Sequence, residues 1–94
     1  MIIELKQRAL HRSKILQGKL KGLEKMIESD DYCMDIITQS LAIQKSLASL
    51  NKLIVENHMK THVSDDLASG DEKKQAKAIE ELLSIYEITN IRGK

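Results

Sequence analysis

Three side chains in this sequence have the chemistry of transition-metal ligands: Cys33, His58 and His62. A thiolate and two imidazoles are soft to borderline donors, which suit Cu(I), Zn(II), Ni(II) or Co(II) and suit Mg(II) or Ca(II) poorly. Taken singly, a cysteine is usually a small buried apolar residue and a histidine is usually a satisfied polar one. Residue type alone therefore leaves open whether these three side chains bind a metal or have an ordinary structural role.

The spacing of the three residues predicts that they cannot meet within one chain. Residues 31–67 contain no glycine and the chain contains no proline, so this segment is predicted to be one long helix. His58 and His62 are four residues apart and lie one turn apart on one face. Around the same helix, Cys33 lies within roughly 20° of that face, but along the helix axis it is ~37 Å from His58. A site that uses all three needs Cys33 from an antiparallel second copy, with the two-fold axis near residue 46.

The apolar pattern of the chain predicts an all-α fold. With no Trp, no Phe and two Tyr among 94 residues, the core must consist of Leu, Ile, Met and Ala. Apolar residues recur at three- and four-residue steps, which predicts a three-helix protomer with a long central helix in one domain. The predicted bounds are about 3–28, 31–67 and 71–90 within a single domain, 1–94.

Residues at the ends of the predicted helices have capping chemistry. Ser29, Asp30 and Asp31 are typical of the N-terminus of the second helix, and Ser69 with Glu72 has capping-box spacing for the third. In the first helix, Gly18 and Gly22 are four residues apart and permit a close backbone approach there.

Composition also excludes several function classes. One cysteine cannot form an internal disulfide, which fits a reducing compartment, and the N-terminal segment lacks the apolar core of a signal peptide. No apolar run approaches bilayer length, so we expect a soluble cytoplasmic protein that does not bind a membrane. Nothing resembles a nucleophile with its base or a phosphate-binding loop, so we expect neither catalysis nor a small-molecule substrate.

The first helix is strongly basic. Between Leu5 and Lys21 there are six Lys or Arg residues and no acid. Arg8, Arg12 and Lys19 lie within roughly 40° of one another beside the apolar stripe, a row that can track DNA phosphates once several protomers add their contacts. A solvated helix face is an equally good interpretation of charge alone. The candidate DNA-binding residues are Arg8, Arg12, Lys14, Lys19 and Lys21.

Two segments, HRSKILQGKLKGLEKMIESDDYC and LIVENHMKTHV, resemble the CsoR/RcnR family of metal-responsive or thiol-responsive bacterial transcriptional repressors. The resemblance covers nearly the whole chain. It is carried by Arg12, Gln17-Gly18-Lys19, Gly22, Met26, Cys33, His58 and His62.

The resemblance implies a fold, an assembly and a function. Family members are three-helix protomers without a helix-turn-helix, whose long second helices pair antiparallel as dimers that join into flat homotetramers. Each metal would lie between protomers, held by Cys33 of one and by His58 and His62 of the other. Metal binding would weaken operator binding allosterically and derepress efflux or detoxification genes. Lys19 replaces the usual Gln of the family, so its effect on DNA binding or on coupling is open.

The ligand set makes Cu(I) the favoured metal by resemblance. Copper sensors of the family commonly use Cys, His and Cys, whereas nickel and cobalt sensors add an N-terminal His, which this chain lacks. Tyr32 precedes Cys33 as in the copper sensors, where a Tyr and a third-helix Glu support the ligands; here that Glu is Glu80 or Glu81. One thiolate and two imidazoles complete a three-coordinate Cu(I) site, while Zn(II), Ni(II) and Co(II) require further donors and stay as alternatives.

Two other function classes stay open. A thiol beside imidazoles can have a lowered pKa, so Cys33 is a candidate nucleophile of an electrophile or redox sensor. The second alternative is a helical protein-interaction module, in which the basic row binds an acidic partner and the three ligand candidates belong to the core.

Overall fold

The computed structural model describes residues 1–91, and the side chains of residues 1–88; the last three residues of the predicted domain lie outside this part. Throughout the described chain the regular structure is helical, which confirms the predicted all-α class. In chain order it contains α1 (Ile3–Glu28), α2 (Cys33–His58), a π-helical turn (Met59–Val63), α3 (Ser64–Ala68) and α4 (Glu72–Ile91). No helix within residues 1–91 combines the length and the apolarity that a membrane span requires.

One compact unit, Met1–Ile54, is an antiparallel hairpin of α1 and the first part of α2. Leu5 and Ala9 of α1 pack against Leu53 of α2, and all three are less than a tenth exposed. Further along α1, the Lys19 ammonium donates a 3.1 Å hydrogen bond to the Ser46 hydroxyl. Because the start of α1 meets the end of this segment of α2, the two helices run in opposite directions.

The turn between α1 and α2 ends the first helix and does not cap the second. Asp30 has φ +53°, the left-handed conformation that Asp tolerates better than most residues. The N–H of Asp31 donates to the Met26 carbonyl and that of Asp30 to the Ile27 carbonyl, a pair of bonds typical of a helix C-terminus. As a result α2 begins at Cys33, two residues later than predicted.

A second compact unit begins at Val55 and contains the end of α2 and the following helices. The N–H of Ser64 donates to the carbonyl of Met59, five residues earlier, which defines a π-helical turn. Within this turn, the Thr61 hydroxyl donates a 2.7 Å bond to the Asn57 carbonyl, which helps to disturb the regular helical ladder. The predicted uninterrupted helix over 31–67 is therefore interrupted at residues 59–63.

The predicted capping box before the last helix is wrong. The Asp71 carboxylate accepts a 2.9 Å bond from the Lys73 N–H, which makes Asp71 the N-cap of α4. Ser69 instead accepts a 3.1 Å bond from the Asp71 N–H, while Gly70 turns the chain at φ +76°. Glu72 is the first residue of α4 and not the third, so it lies outside capping-box register.

The two glycines of α1 are not required by packing within this protomer. A Cβ atom added at Gly18 or at Gly22 would meet no described heavy atom within 4 Å. The close backbone approach that the sequence permits there therefore does not occur inside the described chain.

Candidate metal centre and basic surface

His58 and His62 lie together where α2 gives way to the π-helical turn. His58 is the last residue of α2, and His62 is the fourth residue of the turn. Their ring centroids are 5.2 Å apart and the ring planes are inclined by 35°. His58 is half-buried whereas His62 is exposed. The structure thus brings together the two imidazoles that their spacing predicted.

Glu81 of α4 holds one edge of the His58 ring. The carboxylate oxygen Oε2 of Glu81 is hydrogen-bonded to Nε2 of His58, and each side chain is 31% exposed. Because a carboxylate can only accept, Nε2 carries the hydrogen, and Nδ1 is the ring nitrogen that a metal could use. Of the two glutamates that the sequence left open, Glu81 contacts His58, and Glu80 is exposed.

Cys33 lies at the other end of the same helix. It is the first residue of α2, and its free thiol is exposed. Tyr32, the residue before it, is 72% exposed. Within the part of the chain whose side chains are described, no three His, Cys, Asp or Glu side chains are grouped so that they could hold a metal ion. Among these residue types, the described part of the chain therefore offers the two imidazoles no third donor grouped with them.

The basic residues of α1 occupy two different sides of that helix. Arg8 and Arg12 are exposed. Lys19, third in the predicted row, is half-buried and bonded to Ser46, so part of its hydrogen-bonding capacity is directed at α2. Lys14 and Lys21 are exposed as well, but on a helical wheel they lie roughly 160–180° from the buried Leu5. The five predicted residues thus do not form one continuous surface on α1.

Sequence reasoning missed two contacts of this region. Ser46 was not recognised as the partner of Lys19, although its distance along α2 from the buried Leu53 places it on the face that packs on α1. The hydrogen bond from the Thr61 hydroxyl to the Asn57 carbonyl, beside the two imidazoles, was missed as well. The only indication of it in the sequence is a threonine within the predicted helix.

The chain belongs to the family of metal-sensitive transcriptional repressors, whose family model matches residues 5–87. This confirms the CsoR/RcnR resemblance and, because the family consists of repressors, the expectation of a protein that is not an enzyme.

Among the similar proteins are several copper-sensing repressors. The copper-sensing transcriptional repressor CsoR of Mycobacterium tuberculosis is 38% identical over 84 residues, which are 89% of this chain and 68% of that protein. The protein of the same name from Bacillus subtilis is 33% identical over 81 residues, 86% of this chain and 77% of the relative. A crystal structure of the copper-sensing repressor CsoR with Cu(I) from Geobacillus thermodenitrificans shares the fold, with a TM-score of 0.74 at 24% identity over 93% of this chain and 90% of that one.

Proposed function

We propose that this protein is a copper-responsive transcriptional repressor that binds operator DNA in its metal-free form and releases it when Cu(I) binds between two protomers. Cys33 of one protomer and His58 and His62 of another are the proposed ligands, and release derepresses copper efflux or detoxification genes in the cytoplasm. The observation that carries this proposal is the His58–Glu81 hydrogen bond beside His62, in a chain whose described residues hold no complete metal site. The copper-sensing relatives support the choice of metal.

The proposed donors fit Cu(I) in number and in type. With Nε2 of His58 occupied by Glu81, the ring offers Nδ1 to a metal, and the carboxylate fixes both the tautomer and the orientation of the ring. His62 and the Cys33 thiol are exposed and free to approach a second copy. A thiolate with two imidazoles satisfies a three-coordinate Cu(I) ion, whereas Zn(II) requires a fourth donor and Ni(II) or Co(II) more.

A stripe along α2 supports the pairing that this site requires. Counting from Cys33 in alternating steps of four and three residues reaches His58 at the other end of the helix. Three large apolar side chains on this stripe are exposed: Ile37 (49%), Leu47 (51%) and Ile54 (42%). Fully burying one such side chain stabilises by about 1.5–3 kcal/mol, so an antiparallel copy laid on the stripe stabilises a dimer. The same copy would bring its Cys33 to His58.

The basic helix is placed to respond to this pairing. Because α1 packs on α2 through Leu5 and Leu53, a change in how two α2 helices pair also moves the α1 helices and their arginines. Bound copper would supply a cross-link between protomers that fixes their relative position. Coupling of this kind is reciprocal and typically amounts to about 1–3 kcal/mol, so DNA would weaken copper binding by the same factor as copper weakens DNA binding. A tetramer of two dimers would present four such basic helices, two from each dimer.

The decisive experiment is an anaerobic titration of the metal-free protein, bound to its own promoter DNA, with Cu(I), Ni(II), Co(II) and Zn(II) in turn. We expect Cu(I) to release the DNA at one equivalent per protomer. Release by one of the other ions alone would reassign the metal within the same family. If no metal releases the DNA but alkylation of Cys33 does, the protein is an electrophile sensor and the copper proposal is wrong.

A further inference from the structure

The part of α2 that lies against α1 carries cations and no acid. Residues 36–55 contain Lys45 and Lys52 but neither Asp nor Glu. The facing residues 5–23 of α1 hold six Lys or Arg residues and also no acid. These two segments lie mostly within the antiparallel hairpin of the first unit, so their eight cations, six from α1 and two from α2, have no carboxylate within the two segments themselves.

Lys45 and Lys52 are on one side of α2, away from the stripe proposed for pairing. Both are exposed, and they are seven residues apart, which places them on one face of the helix. Ser46 faces α1 and serves as the reference direction around the axis of α2. Lys45 and Lys52 are turned from Ser46 by about 100–120° in one direction around that axis, whereas Leu47 is turned by about 100° in the opposite direction. A second copy laid on Leu47 would therefore leave both lysines exposed.

Arg8 and Arg12 of α1 are displaced to the same side of the hairpin. Measured from the buried Leu5, they are turned by about 60° and 20° in the same sense as the α2 lysines are turned from Ser46. Seen from one end, successive residues turn clockwise in one helix of an antiparallel pair and anticlockwise in the other. Residues that are turned from the contact line by the same sign of angle in the two helices therefore lie on the same side of the pair. The α1 arginines and the α2 lysines thus border a common surface.

We propose that the DNA-contacting surface spans both helices, with Lys45 and Lys52 of α2 contacting phosphates beside Arg8 and Arg12 of α1. The proposal rests on the proposed function, and duplex DNA is the ligand that it concerns. The hydrogen bond from Lys19 to Ser46 links the two rows and fixes their spacing. Ser49 lies between the lysines along α2 and is half-buried; its short side chain leaves room for a phosphate backbone, to which its hydroxyl can donate.

A matched pair of double variants tests this surface. Lys45→Gln/Lys52→Gln is compared with Lys73→Gln/Lys77→Gln, which removes two exposed lysines from one face of α4. The metal-free proteins are titrated onto the promoter duplex and onto a random-sequence duplex over a range of salt concentrations. We expect the α2 variant to lose the same factor of affinity on both duplexes, and its log K against log[salt] slope to fall by about 0.9 for each phosphate contact removed. The α4 variant should match the wild type.

Two outcomes would overturn the inference. One is an unchanged affinity and salt slope in the α2 variant; the other is a lower affinity together with a changed sedimentation coefficient, because the lysines would then act on assembly. Stoichiometric Cu(I) binding by the α2 variant is expected, since neither lysine belongs to the proposed metal site. Failure of the proposed function looks different: the wild-type protein itself would not bind the promoter duplex, or no metal would release it.

Discussion

The carboxylate of Glu81 accepts a hydrogen bond from Nε2 of His58, and this bond connects α4 to the last residue of α2. It leaves Nδ1 as the ring nitrogen that can bind a metal, and it gives α4 a direct link to a proposed ligand. In the proposed mechanism, metal binding at His58 would therefore act on α4 as well as on the paired α2 helices.

Glu81→Ala should weaken both copper binding and the response to copper. Without the carboxylate the His58 ring loses its fixed tautomer and orientation, and losses of such supporting partners typically cost about 10–100-fold in metal affinity. Competition against a chromophoric Cu(I) chelator measures this loss, and promoter release measures the response. Glu80→Ala is the matched control, because Glu80 is exposed on the same helix. Equal effects of the two substitutions would remove Glu81 from the proposed mechanism.

Cys33→Ala should leave the metal-free protein bound to its promoter and abolish its release by copper. The substitution removes the only thiol of the sequence, and Cys33 is exposed at the start of α2, so little packing is lost. Met34→Leu is the control, since it removes the neighbouring sulfur but no thiol. Fluorescence anisotropy of labelled promoter DNA follows both variants. Loss of DNA binding with the copper response intact would contradict the ligand role of Cys33.

Some of this arrangement follows from sequence patterns, and the reason is periodicity. The apolar repeat of α1 predicts its observed bounds, Ile3–Glu28, because a long amphipathic stripe specifies a helix and the face that it buries. The four-residue spacing likewise predicts that His58 and His62 are neighbours, and their rings are 5.2 Å apart.

Other features depend on contacts that periodicity does not encode. Glu80 and Glu81 differ by about 100° on a helix, so choosing between them requires the position of α4 against the end of α2. That position depends on the turn in which Asp71, and not Ser69, caps α4. The π-helical turn at residues 59–63 is similarly local, because the Thr61 hydroxyl competes for a backbone carbonyl that a regular helix would use.

A mixture of two inactive variants should regain copper binding if the site lies between protomers. Cys33→Ala supplies intact imidazoles, and His58→Ala/His62→Ala supplies an intact thiol. In a mixed antiparallel dimer one of the two sites then receives all its ligands and the other receives none. Copper titration of the separate and the remixed proteins, after unfolding and refolding together, measures the recovery. Tight copper binding by either variant alone, or no recovery on mixing, would contradict a shared site.

Leu47→Glu should break the proposed dimer, whereas Leu41→Glu should leave it at least dimeric. The two leucines are almost equally exposed, 51% and 52%, so the substitutions differ little in what they do to a single protomer. Leu47 is one of the residues of the stripe between Cys33 and His58, whereas Leu41 is not a member of the stripe and is turned by roughly 120° from Leu47 around α2. A glutamate at position 47 would be buried without a partner in the paired dimer, which is strongly unfavourable.

Sedimentation velocity of the two metal-free variants, with circular dichroism to verify that both remain helical, separates the outcomes. A dimeric Leu47→Glu variant would mean that protomers pair through another face, and Cys33 of one copy would then not meet His58 of the next.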